Sequence, residues 1–400
     1  MSAILVCQFA LRRSLFNGVV SSVDGSRVPW ASGSRRECNS LHILITGGAG
    51  FVGSELAVRL SEKSHRVVVM DNLVRRGSES NLERLARHGV TFVHGDVRNP
   101  EDFENLPSGI EFVCDTSAQP SVVSGYSNPV FDITNNSLGV VRVLEYARLN
   151  RCPLIFFSTN RVYVVDRLLE LPRREGATRI EWDAEAWKKL PVESRARGFD
   201  PAHGISEEFA VDGGQRSIYG LSKLIADAAC QEYAHAFDMP IAVNRFGVIA
   251  GTGQFAKLDQ GWVVWWAIAH YFRLPLKYIG WNGKQVRDIL FLEDVCALVE
   301  LQMNQMDRFR GDIFNLGGGA ENSLSLREGT QLLERKLGHG TTITSEDAVR
   351  KADLPIYFTD NRKAAKMLKR HAKVTIDERF DRILEWIRLN EASLKSRYGA

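Results

Sequence analysis

Cysteine is scarce and scattered. Six occur in 400 residues, at positions 7, 38, 114, 152, 230 and 296, with no C-x-x-C and no paired histidine spacing. Neither a disulfide framework nor a zinc or other metal site is signalled, and a reducing, cytoplasmic setting fits that usage. Long hydrophobic runs are missing too. A membrane-spanning helix needs roughly 18 to 20 apolar residues, whereas the richest run, Trp262 to Ala269, is far shorter and reads as a buried helix. Charge of one sign is also lacking: 51 basic against 48 acidic residues leave a net charge of +3, with no basic block or acidic tail. Neither nucleic acid nor a membrane surface is therefore an expected partner. What remains is ordinary globular composition, 44% hydrophobic and 25% charged, long enough for one large or two modest domains.

Residues 1–40 stand apart. Arg12, Arg13, Arg27, Arg35 and Arg36 face only Asp24 and Glu37, with serine and glycine between and no clear periodicity. This composition suits a flexible tail or an organellar presequence. The segment also fits a misassigned start, because Leu41 sits where a fold opening on LHILITGG would place its initiator, and the next methionine after Met1 is Met70.

From Leu41 onward, short apolar runs alternate with helix-like segments. HILIT, RVVVM, TFVHG, EFVCD, PLIFFST and PIAVNRF read as strands. Helices are expected at Gly53 to Ser61, Leu82 to His88, Ser137 to Leu149 and Ser217 to Ala236. Strands separated by helical patterns mean βαβ units, so the fold class is α/β, a doubly wound parallel Rossmann sheet over residues 41–245. Between Val164 and Gln215 the periodicity fails, and residues 164–215 read as an insertion loop over the sheet's carboxyl edge. Residues 246–400 break into glycine-punctuated segments that predict a smaller mixed C-terminal substrate domain, with helices near Leu326 to Lys336 and Phe380 to Leu389.

Directly after the first strand comes Thr46-Gly47-Gly48-Ala49-Gly50-Phe51-Val52-Gly53. Its glycines allow a tight turn, close approach of backbone N–H groups to a pyrophosphate, and packing of helix on strand; the helix N-terminus adds positive potential. Asp71 closes the second strand some 20 residues further on, where a carboxylate accepts the adenosine ribose hydroxyls and repels a 2′-phosphate. The expected cofactor is thus NAD, with Arg75 and Arg76 close enough to temper the choice against NADP. Asp96 and Val97, closing the third strand, would lie beside the adenine, and no metal is called for.

Tyr219-Gly220-Leu221-Ser222-Lys223 puts tyrosine and lysine four residues apart, one turn along the same helix face. An ammonium there stabilises the phenolate and brings a group of ordinary pKa about 10 toward the working range of a general base. An exposed tyrosine and a solvated lysine would be the bland alternative, but the pair follows both a dinucleotide-binding turn and Phe157-Ser158-Thr159-Asn160-Arg161-Val162-Tyr163 at a strand end. Thr159 is placed to hydrogen-bond a reacting oxygen.

These residues resemble the extended short-chain dehydrogenase/reductases, the NAD-dependent epimerases and dehydratases that act mostly on nucleotide sugars, over about Leu41 to Leu389. The resemblance implies that Gly47, Gly50, Phe51, Val52, Gly53, Asp71, Asn72, Asp96, Val97 and Asn136 contact the cofactor. It makes Thr159, Tyr219 and Lys223 the catalytic triad, with Lys223 also holding the nicotinamide ribose. It further implies a homodimer or homotetramer built through a helix pair that includes the Tyr219/Lys223 helix.

Within that family, dehydratases place an Asp-Glu pair after the catalytic threonine, and this chain has Asn160-Arg161 instead. The glutamate of decarboxylating members is likewise missing, and Gly247 stands where 4-epimerases typically have asparagine. Four segments resemble the CDP-paratose (CDP-tyvelose) 2-epimerase branch: STNRVY at 158–163, GQFAKLDQGWV at 253–263, GWNGKQVRDIL at 280–290 and FNLGGGAENSLSL at 314–326. The implied chemistry is transient oxidation at C2 of a nucleotide-diphosphate sugar with no net consumption of NAD. A 4-epimerase, a net dehydrogenase and a non-catalytic NAD-binding module are the alternatives.

A diphosphate suits bidentate guanidinium, which makes Arg287 and Arg350 candidates for it, with a salt bridge as the bland role of each. Asp353, in R-x-x-D, resembles a ribose-binding carboxylate. Asn160, Gln254, Phe255, Gln260 and Trp262 are candidates for the sugar or base pocket, with helix core as the alternative for Trp262. The chain departs from the family pattern at Asp115-Thr116-Ser117-Ala118, where His-Leu-Ala-Ala or similar is usual, at Val164, and at Ala250-Gly251-Thr252-Gly253.

Overall fold

The computed structural model describes residues 40–257, 260–368 and 375–399. The arginine-bearing segment 1–39 lies outside them. Apolar runs without alternation, such as His42-Ile43-Leu44-Ile45-Thr46, need both faces covered, and a parallel sheet flanked by helices covers them. Chain order gives β1 (His42–Thr46), α1 (Phe51–Glu62), β2 (Arg66–Asp71), β3 (Thr91–His94), β4 (Phe112–Asp115), α2 (Gly139–Leu149), β5 (Leu154–Thr159), α3 (Ile218–Phe237) and β6 (Ile241–Phe246). Next come β7 (Val248–Ala250), α4 (Trp262–Tyr271), β8 (Val286–Phe291), α5 (Leu292–Met303), β9 (Asp312–Leu316), β10 (Ser323–Ser325), α6 (Leu326–Leu337), β11 (Ile356–Tyr357), α7 (Ile376–Leu389) and α8 (Glu391–Tyr398). No helix among the described residues is long and apolar enough to cross a membrane.

The main sheet has seven strands in the order β9-β6-β5-β4-β1-β2-β3, all paired in parallel. Strand order reverses between β1 and β4, which opens a crevice at their carboxyl ends. The seventh strand comes from outside the stretch 41–245. β9 returns from the glycine-rich region and pairs with β6 from Ala242↔Asp312 to Phe246↔Leu316. Its run of only five residues is buried by the partner strand and the core, which propensity along the chain does not reveal.

The stretch 164–215 is more ordered than an aperiodic loop. It forms a helix at Val165–Leu169, a hairpin of Arg173–Glu175 with Ile180–Trp182, a helix at Ala184–Lys189 and a two-residue pairing of Phe199–Asp200 with Gly204–Ile205. Elements of two to six residues are too short to show a period. Their apolar side chains, Leu168, Trp182, Phe199 and Phe209 among them, share a core with Tyr163 and Tyr357. The Ile180 amide donates to the Lys284 carbonyl at 2.9 Å, so the insertion leans on the second sheet. That second sheet runs β7-β8-β10, with β11 also paired to β8, and α4, α6 and α7 pack around it. The short apolar run at 262–269 is, as its length requires, a buried helix within α4.

The seven-stranded sheet is tied to α3 by a buried ion pair. Arg245 of β6 donates through Nε and Nη2 to the two carboxylate oxygens of Asp227, both at 2.9 Å, and Ser158 of β5 adds a third donor at 2.7 Å. Both charged side chains are almost wholly buried, at 3% and 0% exposure. Removing one partner leaves the other charge uncompensated in the core, which costs about 3–5 kcal/mol. Asp227→Ala is therefore expected to lower unfolding free energy by about that amount, measured by urea denaturation of the purified variant and wild type.

Candidate active site

The glycine turn folds as its residues dictate. Gly47 adopts φ +67°, and a Cβ there would stand 2.7 Å from the Ser117 Cα, so only glycine lets the β1–α1 turn meet the end of β4. A Cβ at Gly53 would approach the Gly47 carbonyl oxygen to 2.5 Å, which is what allows α1 to start this close to the turn. Next to the turn lies a cavity of about 370 Å³. Its walls include Gly47, Gly50, Phe51, Val52 and Gly53 from the turn, Asp71 and Asn72 from the end of β2, and Val97. Gln254, Phe255 and Gln260 reach it from the segment before α4.

Asp71 accepts backbone N–H bonds from Ala49 at 3.1 Å and Leu73 at 2.8 Å. Burial pushes its carboxyl above the ordinary range, against the pull of those amides. Asp96 sits behind the wall rather than in it. Burial acts to raise its pKa, but hydrogen bonds from Arg98 and Asn72 prevail and hold it at about 2. Asn136 is fully buried within a π-helical turn, Thr134–Leu138, that precedes α2. Its amide donates to the Gln119 carbonyl and to Ser222 Oγ, both at 3.0 Å, and so braces α3 against the β4 loop. The structure thus brings the turn, Asp71, Asn72 and Val97 to one cavity and sets Asp96 and Asn136 behind it as supports.

Ser217 caps α3 by accepting the Gly220 amide at 2.9 Å. A Cβ at Gly220 would stand 2.3 Å from the Arg161 carbonyl oxygen, so this glycine lets the helix lie against the turn that follows Thr159. Tyr219 is consequently held beside Thr159. Burial pushes its phenol up to about 12, while the Thr159 hydroxyl and the Arg161 charge act in the opposite direction. One turn on, Lys223 is buried with Nζ 4.2 Å from the centroid of the Phe156 ring and with no hydrogen-bond partner among the described residues. Burial takes its pKa down to about 8, against the raising effect of Asp115, Cys230 and Asp227. An orphaned buried ammonium at the carboxyl end of the sheet is the feature a ribose diol would satisfy, and the arrangement can move a proton at the Tyr219 Oη.

A second cavity of about 180 Å³ shares Gln260 with the first. Trp262, Arg287, Arg350 and Asp353 line it together with Arg161. Arg287 spends Nη2 on Asp353 and on the Leu354 carbonyl, both at 2.6 Å, and Nη1 on its own Val286 carbonyl at 2.7 Å. The salt bridge considered for Arg287 thus exists, inside the cavity wall. Arg161 was not foreseen there: it donates to the Ala352 carbonyl at 3.0 Å and stands 3.9 Å from Asp353. Asn160 lines neither cavity; its side-chain oxygen lies 3.4 Å from the Thr159 hydroxyl. Phe255 carries a further unforeseen contact, the Arg397 guanidinium of α8 at 3.8 Å from its ring centroid.

The model of the NAD-dependent epimerase/dehydratase family matches residues 43–182 and 196–317. The chain belongs to that family. Members similar to it include the CDP-paratose 2-epimerase of Salmonella typhi, 32% identical over 86% of this chain and 99% of that protein. A second is a putative UDP-glucose 4-epimerase of Methanocaldococcus jannaschii, 27% identical over 87% and 99% respectively. The fold is shared with the Thermotoga maritima UDP-glucose 4-epimerase solved with UDP-glucose, with TM-score 0.69, 23% identity and coverage of 88% and 100%. It is shared too with the Thermus thermophilus UDP-glucose 4-epimerase solved with NAD, with TM-score 0.67, 22% identity and coverage of 87% and 99%. As a member of the NAD-dependent epimerase/dehydratase family the protein is an enzyme and its cofactor is NAD, as the glycine turn and Asp71 lead one to expect.

The state of Lys223 predicts a pH dependence of stability. Below about pH 8 the amine is charged in both folded and unfolded chains, and its burial penalty is fully present. Between about 8 and the ordinary 10.5 the unfolded chain keeps a proton that the folded chain has released, so this group's contribution to stability rises with pH. Relative to Lys223→Met, the cofactor-free wild type is expected to gain up to about 3 kcal/mol between pH 7 and pH 10.5. Denaturant titrations of both proteins across that range measure it, and a pH-independent difference would contradict the assignment.

Proposed function

We propose that the enzyme is a nucleotide-sugar 2-epimerase acting on a CDP-hexose of the CDP-paratose/CDP-tyvelose type. The observation that carries this reading is 32% identity, over nearly the whole length of both chains, to a protein named CDP-paratose 2-epimerase. The four segments at 158–163, 253–263, 280–290 and 314–326 support it. So does a cavity with three arginines, Arg161, Arg287 and Arg350, next to the one beside the glycine turn.

Bound NAD supplies the hydride acceptor and donor, so that oxidation at one sugar carbon is reversed on the other face. The residues of the turn with Asp71, Asn72 and Val97 hold the dinucleotide, Asp96 and Asn136 fix their surroundings, and Lys223 binds the nicotinamide ribose. Tyr219 takes the proton of the C2 hydroxyl at its Oη and returns it after the 2-keto sugar has turned. The Thr159 hydroxyl donates to the same sugar oxygen. The Lys223 ammonium, one helical turn away, lowers the cost of the phenolate, which burial otherwise opposes. Arg287 and Arg350 bind the diphosphate, Asp353 the ribose, and Gln254, Phe255, Gln260 and Trp262 shape the sugar and base pocket, which Asn160 does not line. Residues Leu221 and Ile225, large and exposed on α3, support assembly as a homodimer or homotetramer through that helix.

Incubation of the purified enzyme with CDP-paratose and related CDP-, GDP- and UDP-hexoses is expected to give the C2 epimer of a CDP sugar without accumulation of NADH. Tyr219→Phe should lose about 10²- to 10⁴-fold in rate. Inversion at C4, or stoichiometric NADH, would replace this reading with a 4-epimerase or a dehydrogenase.

A further inference from the structure

Lys223 keeps its amine buried, with no hydrogen-bond partner among the described residues, and an isolated buried ammonium is strongly disfavoured. Something must offset that. Asp115 closes β4, and its register partner in β5 is Phe156. Residues directly paired in a sheet project from the same face, so the Asp115 carboxylate and the Lys223 ammonium flank one aromatic ring, the ammonium at 4.2 Å from its centroid. Asp115 is fully buried. Its Oδ1 is held in place by Thr46 Oγ1 and Ser117 Oγ, both at 2.6 Å, and by the Ser117 amide at 3.0 Å. Its Oδ2 is buried and, among the described residues, has no partner at all.

We propose that Asp115 is a positioning residue of the active site, the buried counter-charge that keeps the Lys223 amine in its charged form. The other groups facing Lys223 supply less of that charge. On α3 itself, Asp227 is neutralised by its two-pronged pair with Arg245, and burial pushes the Cys230 thiol well above its ordinary range, so it stays neutral. Tyr219, one turn back, is a protonated phenol at neutral pH. The Phe156 ring contributes only its quadrupole. Asp115 faces the lysine with neutral donors on one oxygen and, among the described residues, an uncommitted second oxygen, and of the nearby groups it raises the lysine's proton affinity most. It stands at the strand end where the sequence departs from the family pattern.

The proposal rests on Tyr219 and Lys223 being the catalytic pair, but its test reads the charge of Lys223 whichever sugar carbon reacts. Full-length protein labelled at lysine Cε with ¹³C is titrated by NMR, and the Lys223 signal is assigned by its loss in Lys223→Arg. Asp115→Asn keeps the shape and the Oδ1 acceptor while removing the charge. It is expected to lower the Lys223 midpoint by about one pH unit or more, a tenfold change in proton affinity. A folded Asp115→Asn protein with an unchanged midpoint overturns the proposal. A second measurement needs no variant at Asp115: its ¹³Cγ chemical shift in the otherwise native protein should inflect at the Lys223 midpoint and lose that inflection in Lys223→Met, because the nucleus senses the neighbouring lysine charge disappear. A carboxylate signal with no inflection there overturns the proposal equally.

Discussion

The ammonium of Lys223 has to carry its charge where burial works against it, and much of the surrounding structure can be understood from that requirement. It lies over Phe156 with its lone helix neighbours either paired or neutral. Its helix is clamped at both ends of the site: Ser217 caps it, Ser222 is bonded to Asn136 and, through its carbonyl, to Ser137 at 2.8 Å, and Asp227 is locked to Arg245. The π-helical turn and β6 hold the helix from two sides while its own N-cap fixes its start, so a small shift of α3 does not release the lysine from its environment. Held rigidly, an ammonium with no hydrogen-bond partner among the described residues is poised to interact with what enters the crevice, in keeping with electrostatic preorganisation as a source of catalysis.

The parallel sheet supplies the place for this. Strand order reverses between β1 and β4, and the ends of β1, β2, β4 and β5 deliver the glycine turn, Asp71, Asp115 and Thr159 to one edge. The second sheet then brings Arg287 from β8 beside Arg350 and Asp353, and Gln260 joins that cavity to the one along the turn. Under the proposed function the dinucleotide would take the first cavity and the anionic sugar handle the second, joined at Gln260.

Legibility from sequence followed the range of the interactions involved. The Gly47–Gly53 turn, Asp71 and the Tyr219/Lys223 spacing are local patterns, each set by a backbone or one helical turn, and the structure gathers the turn, Asp71 and their neighbours around one cavity. β9 was hidden because five residues acquire strand character only by pairing with β6, about seventy positions earlier. The insertion at 164–215 was hidden because its elements are shorter than any period. Arg161 was visible as a residue but not as a wall of the second cavity, since its placement depends on the Ala352 carbonyl. The Arg397–Phe255 contact joins α8 to a loop more than a hundred residues away, and nothing in either segment announces the other. In the sequence Asp115 stands out only as a departure from the family pattern; its relation to Phe156 emerges from the sheet register.

Under the proposed function one sugar carbon gives up its hydride and recovers it within a single site. A CDP-hexose carrying deuterium at C2, turned over in ordinary water by the purified enzyme, tests it most directly. A hydride shuttle yields a C2 epimer that retains the deuterium at C2; an epimer whose C2 label has been exchanged for solvent hydrogen would rule the shuttle out.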